Sequence, residues 1–221
     1  MNTALLASSL KAIRSCLSLR EFQAKSGIRS EMVAREVLDY LVRKGIGKRS
    51  QYNYLFSKTD RMRLAIHALE NGNDFETISR ALSWQDFEAF TSTLLNLAGY
   101  TSECNLYLSK PYRMQIDVVG VNHKSRLAIV ADCKHWKKNH RSSMLNHARK
   151  QAIRSIKLLK CRRDISQAIP MMLTLYPMDI KFMEGVPIVP VSKFNSFIQD
   201  LPLSLHEINV LSRDIIPKFP Y

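Results

Sequence analysis

Residues 126–139 read RLAIVADCKHWKKN. An apolar stretch, Leu127 to Ala131, runs into Asp132, Cys133 and Lys134 and then into a crowd of positive charge. Side chains alternate faces along a strand, so Ile129, Ala131 and Cys133 form one face and can be core. Val130, Asp132 and Lys134 form the other, which places an acid and a base about 7 Å apart at Cα, two strand steps. The preceding run, RMQIDVVGVN (113–122), predicts a partner strand, with Asn122-His123-Lys124-Ser125 as the turn between them. There Ile116 and Val118 are core-like and Asp117 faces opposite. A hairpin of this length brings Asp117 next to Asp132. Two carboxylates so placed repel unless something positive lies between them, and a divalent cation or the Lys134 ammonium would serve.

Working outward, residues 83–97, SWQDFEAFTSTLLNL, predict a helix with Trp84, Phe87, Thr91, Leu94 and Leu95 on one face and Gly99 closing it. TSECNLYLS (101–109) follows as a strand. Beyond the hairpin, residues 142–160 predict a basic helix. MMLTLY (171–176) and VPIVPV (186–191) read as short strands bounded by prolines, and residues 193–201 as a last helix. The order implies an α/β sandwich around a small central mixed sheet.

Asp117 followed by a strand carrying Asp132-Cys133-Lys134 resembles the PD-(D/E)XK nuclease superfamily, the restriction-endonuclease-like fold. Glu88, in W-x-x-F-E-x-F, resembles the helical acid of its Mrr-type restriction endonucleases and archaeal Holliday-junction resolvases. Gln151 stands where Mrr-type members often carry glutamine. The match covers roughly residues 84–197. Ile116 replaces the proline that usually precedes the first acid, and Asp132 stands where Glu is more frequent; both variants occur in the superfamily. D-x-K alone says little, since Asp179-Ile180-Lys181 has the same spacing. That copy follows Pro177, lacks an upstream acidic strand and reads as a surface loop. A structural ion pair between Asp132 and Lys134 is the competing reading of the first copy.

The resemblance implies metal-assisted phosphodiester hydrolysis. Mg²⁺, with Mn²⁺ as a substitute, takes oxygen ligands and keeps several waters. Asp117 and Asp132 are expected as direct ligands, the Cys133 carbonyl as a family-implied third, and Glu88 as a partner through water or at a second ion. Lys134 would orient the attacking water or stabilise the pentavalent oxyanion. Gln151 either positions water or Lys134, or is simply a polar residue on a helix face. His135, Trp136, Lys137 and Lys138 are expected to line the groove beside the scissile phosphate, with Trp136 either stacking on a base or sugar or filling core. Arg141, Arg149, Lys150, Arg154 and Lys157 supply further phosphate contacts from the next helix. His135, His140 and His147 lack the spacing of a zinc site and read instead as phosphate contacts or plain surface. Because superfamily members often dimerise to cut two strands, a homodimer is admitted.

The N-terminal residues read as a separate unit. Residues 4–16 have helical spacing; residues 17–27 predict a second helix capped by Ser18 and stopped by Gly27. A third helix, from Arg29, has Ser30 as its cap, an apolar stripe through Met32, Val33, Val37, Leu38, Leu41 and Val42, and Gly45 at its end. Tyr52, Tyr54 and Phe56 then alternate as a wing. Three helices and a hairpin predict a winged helix-turn-helix over residues 1–57, then a helical linker over 58–82 and a catalytic domain over 83–221. Arg29, Arg35, Lys48 and Arg49 would meet DNA. Docking or dimerisation is the other use of such a module.

Charge supports a polyanionic partner: the net value is +14, and residues 134–163 hold 11 Lys or Arg and no Asp or Glu. An apolar fraction of 46% excludes a disordered chain. No apolar run is long enough for a membrane span, and the N-terminus lacks the order of a secretory signal. Cys16, Cys104, Cys133 and Cys161 form no C-x-x-C pair, which points to reduced thiols in the cytoplasm or nucleoid. The expected function is a Mg²⁺-dependent endonuclease acting on duplex or branched DNA. The rivals are a DNA-binding protein whose nuclease-like fold only grips, and a transposon-end or RNA nuclease.

Overall fold

A computed structural model describes residues 2–57, 59–73, 77–78, 81–134, 140–205 and 208–214; the side chains of 202–204 are not described. The chain divides into two compact units, Met1–Phe90 and Thr91–Tyr221.

In the first unit the order is α1 (Thr3–Ala12), β1 (Cys16–Ser18), α2 (Leu19–Ser26), α3 (Glu31–Arg43), β2 (Lys48–Arg49), β3 (Asn53–Leu55) and α4 (Asp60–Glu70). Local chemistry sets these boundaries. Ser18 and Glu21 form a reciprocal capping box at α2, worth about 1 kcal/mol, and Gly27 closes it in the left-handed conformation at φ 76°. Ser30 accepts from the Val33 N–H, so α3 begins at Glu31 and Arg29 precedes it. The helix expected over 4–16 stops at Ala12, because Cys16–Ser18 joins a three-stranded sheet in the order β1-β3-β2. A three-residue strand is too short to show alternation, and helical spacing hides it. Tyr54 and Phe56 are buried while Tyr52 is 80% exposed, so the β2–β3 hairpin turns before β3. His67 packs on α4 with Nε2 2.8 Å from the Tyr40 hydroxyl.

A fifth helix, α5 (Trp84–Leu97), spans the division between the units. In the second unit follow β4 (Thr101–Leu108), β5 (Met114–Asn122), β6 (Leu127–Lys134), α6 (Arg141–Cys161), β7 (Gln167–Thr174), β8 (Phe182–Met183), β9 (Val186–Pro190), α7 (Phe194–Ser204) and β10 (Leu211–Ser212). Among the described residues the sheet is seven-stranded, ordered β4-β5-β6-β7-β9-β8 with β10 on β7. It is mixed: β4, β5 and β6 are antiparallel, while β6, β7 and β9 run parallel.

Both faces of β6 are covered. On one, Val119, Val121, Ala128 and Val130 pack with Ile156, Leu158 and Leu159 of α6. On the other, Thr91 meets the Cys133 sulfur, and Leu95 lies where a Cβ on Gly120 would come within 3.0 Å. Ala128–Cys133 is therefore buried without interruption, not only on the face that alternation marked as core. Parallel strands flanked by helices carry such continuous runs.

Strand β7 begins at Gln167, before the expected Met171, and runs through Pro170. One edge of β7 pairs with β6 throughout. The other meets β10 at Gln167 and Ala168 and β9 at Met172–Thr174, so Pro170 falls between two partners. A proline, lacking an N–H, is tolerated in such a gap.

Candidate active site

The site lies at the carboxyl end of β6, where the parallel part of the sheet opens. The β5–β6 ladder runs from Asn122–Leu127 to Val118–Ala131. One step further along that register Asp117 stands across from Asp132. Asp117 turns its Oδ2 to the Cys133 N–H at 2.9 Å, tying the end of β5 to the backbone between the D-x-K side chains.

Asp132 is 2% exposed, and a charge that deep requires partners. Its Oδ1 accepts from Arg154 Nη1 at 3.0 Å, and Lys134 Nζ lies 2.9 Å from Oδ2. The lysine contact is an ion pair off the line of a hydrogen bond, because Oδ2 accepts none from the described residues. The Asp132–Lys134 pair weighed from the sequence thus exists, and it is one arm of a larger cluster. Lys134 is largely covered, its side chain 14% exposed.

Helix α6 supplies the rest. Gln151 is fully buried; its Nε2 donates to the Val130 carbonyl at 2.7 Å and its Oε1 accepts from Arg154 Nη1 at 3.3 Å. Gln151 thus braces both β6 and the arginine that holds Asp132. His147 is half-buried on the same helix face. Burial and then the Lys134 ammonium push its imidazole below the usual histidine range, with Asp132 opposing and Lys150 and Arg154 adding to the depression. The place of His147 beside Lys134 and Asp132 and the Asp132 contact of Arg154 were not read from the sequence. Their signal was available: 147, 151 and 154 stand at i, i+4 and i+7 on one helix face.

Glu88 is buried on α5. Arg29 is exposed; exposed Arg35 pairs with Glu31 at 2.9 Å, and Arg49 of β2 lies 3.6 Å from Asp39 beside exposed Lys48. On α6, Arg141 and Lys150 are exposed, Lys157 is half-buried, and Arg149 pairs with Glu184 at 2.7 Å. His135, Trp136, Lys137 and Lys138 lie outside the described residues.

Among the described residues no three His, Cys, Asp or Glu side chains gather as a metal-binding group. Mg²⁺ needs fewer, since it uses one or two carboxylates and retains water. The buried Asp132 Oδ2, accepting no hydrogen bond, is the donor atom that fits such an ion. The fit has a competitor in the Lys134 ammonium at that same oxygen.

No family model matches the sequence, and no curated protein matches it significantly. Among solved structures, protein VC1899 from Vibrio cholerae is 14% identical, with 93% of this chain and 50% of that chain covered at a TM-score of 0.32. Can2 from Sulfobacillus thermosulfidooxidans, solved in complex with cyclic tetra-adenylate, is also 14% identical, with 93% and 49% covered at 0.32. The chain spans about half the length of each. Similarity at this level assigns no function. Among the described residues no helix is long and apolar enough to cross a membrane.

Proposed function

We propose that the protein is a metal-dependent DNA endonuclease of the PD-(D/E)XK type, with a winged helix at residues 1–57, a helical linker at 58–82 and a restriction-endonuclease-like domain at 83–221. The observation that carries this reading is the junction of Asp117 with the Asp132-Cys133-Lys134 strand end, through the Asp117 carboxylate on the Cys133 N–H. Beside it stands a largely covered lysine, as the chemistry requires. The winged-helix reading is supported by the order of three helices with a β1-β3-β2 sheet, and DNA as the partner by the net charge of +14.

Asp117 and Asp132 would hold Mg²⁺ or Mn²⁺, with the Cys133 carbonyl and Glu88 as supporting ligands. The bound ion would supply Lewis acidity toward a phosphate oxygen and lower the pKa of water. Lys134 is held by Asp132 where it can orient an attacking water or offset charge on the phosphate. Gln151 keeps Arg154 directed at Asp132, so the carboxylate stays in place.

The test is Mg²⁺-dependent nicking by Asp117→Ala and Lys134→Ala, with DNA binding measured in parallel. Loss of cleavage with binding retained is expected; cleavage surviving both changes would sink the enzyme reading. The two cations beside Asp132 favour a second reading, in which the cluster is structural and the fold only grips DNA. Wild-type protein that binds duplex DNA yet cuts no duplex, branched, single-stranded or RNA substrate in Mg²⁺ or Mn²⁺ would establish it. Cleavage of RNA or of transposon ends alone would redirect the substrate assignment.

A further inference from the structure

His147 has no role in the reading above, although the fold delivers it to the same place. Gln151 is fixed to the Val130 carbonyl and Arg154 to Asp132, and these contacts turn one face of α6 toward the end of β6. His147, one turn before Gln151, shares that face. On the adjoining face Met144 and Ala148 are buried with Met172, Met183, Val186 and Ile188, so the helix cannot roll the imidazole away.

The charges acting on the imidazole are Lys134, Asp132, Lys150 and Arg154: three cations against one carboxylate among the described residues. Such an excess in a half-buried place favours a bound anion. The donors are of the right kind. Arg154 commits Nη1 to Asp132 and Gln151, which among the described residues leaves Nε and Nη2 for another oxygen. Lys150 is exposed on the next turn. An imidazole carries at least one N–H in either protonation state, so His147 is a donor of the kind that a phosphate oxygen accepts from.

We propose that His147, Lys150 and Arg154 form a phosphate subsite that grips a DNA backbone phosphate beside the one to be cut. The position of that phosphate relative to the cut rests on the nuclease reading; the grip itself does not, because it needs no cleavage.

The experiment measures binding of a short fluorescent duplex to the full chain by anisotropy, without divalent metal and across a salt series. His147→Leu is expected to weaken binding about tenfold at fixed salt, the loss of one hydrogen bond to a charged oxygen. His147→Gln keeps an N–H donor and is expected to restore most of that loss. Lys150→Ala removes a charge and is expected to reduce the slope of log K against log salt by about 0.9. His147→Ala serves as a second donor-free variant should the leucine disturb folding, which circular dichroism reports. Binding by both donor-free variants equal to wild type, or His147→Gln as weak as His147→Leu, overturns the subsite. Failure of the nuclease reading would show separately, as absence of Mg²⁺-dependent cleavage by a wild-type chain with these binding effects intact.

Discussion

Asp132–Lys134 and Asp179–Lys181 share a spelling, acid-x-lysine, and differ in everything around it. The first pair closes a central strand between helices, with an ammonium 2.9 Å from a carboxylate that is 2% exposed. The second lies in the irregular segment between β7 and β8, both side chains exposed. Water solvates the second acid at no cost, so it needs no partner. The first has lost its water and is held by Lys134 and Arg154. Spacing makes such a motif available; burial is what obliges it to find partners.

The largest break in that contrast comes from deleting the acids. Asp132→Ala leaves Lys134 and Arg154 facing each other without their carboxylate and is expected to cost about 3 kcal/mol. Asp179→Ala should stay within about 0.5 kcal/mol of wild type. Urea unfolding of the two variants measures both, and equal midpoints would mean that the buried cluster is not what separates the copies.

A smaller effect tests the helix that braces the first copy. In Gln151→Leu the Val130 carbonyl loses its donor and Arg154 loses an acceptor, for an expected cost of about 1–3 kcal/mol. The lost acceptor should also let Arg154 leave Asp132, visible as a crystallographic change of rotamer. An unmoved Arg154 would show that Asp132 alone fixes it.

The smallest effect belongs to the exposed side. Glu184, just beyond the second copy, is held below the usual carboxylate range by hydrogen bonding to the Arg149 guanidinium. A carboxyl depressed in the folded state stabilises above its unfolded pKa, and that contribution disappears as pH falls through the folded value. Arg149→Ala should return the Glu184 titration upward, followed by NMR, with almost no change in melting temperature at neutral pH. A substantial loss of stability would place this pair nearer the buried cluster than its exposure implies.

Much of the local structure was legible because its causes are local. Ser18, Ser30, Gly27 and Gly45 announce helix ends through hydrogen bonding and backbone freedom, and each stands where its chemistry points. The Asp117 and Asp132 strands follow from apolar runs around a turn. Long-range causes were not legible. β1 exists because a distant strand, β3, pairs with it. Pro170 looked like a boundary because the gap between β10 and β9 depends on segments far along the chain. The Asp132 contact of Arg154 went unread because nothing in a linear text says that Asp132 will lie within its reach.

The return of the chain at Leu211 and Ser212 to the lower edge of β7 has a practical side. Those two residues cover hydrogen-bonding groups of Gln167 and Ala168 that β9 does not reach. A protein trimmed to end at residue 208 would bare that stretch of a strand otherwise buried along its length. Open edges of this kind recruit other chains. Such a trimmed form should therefore be sticky, aggregating at concentrations where the full chain stays dispersed, even with every residue of the candidate active site intact.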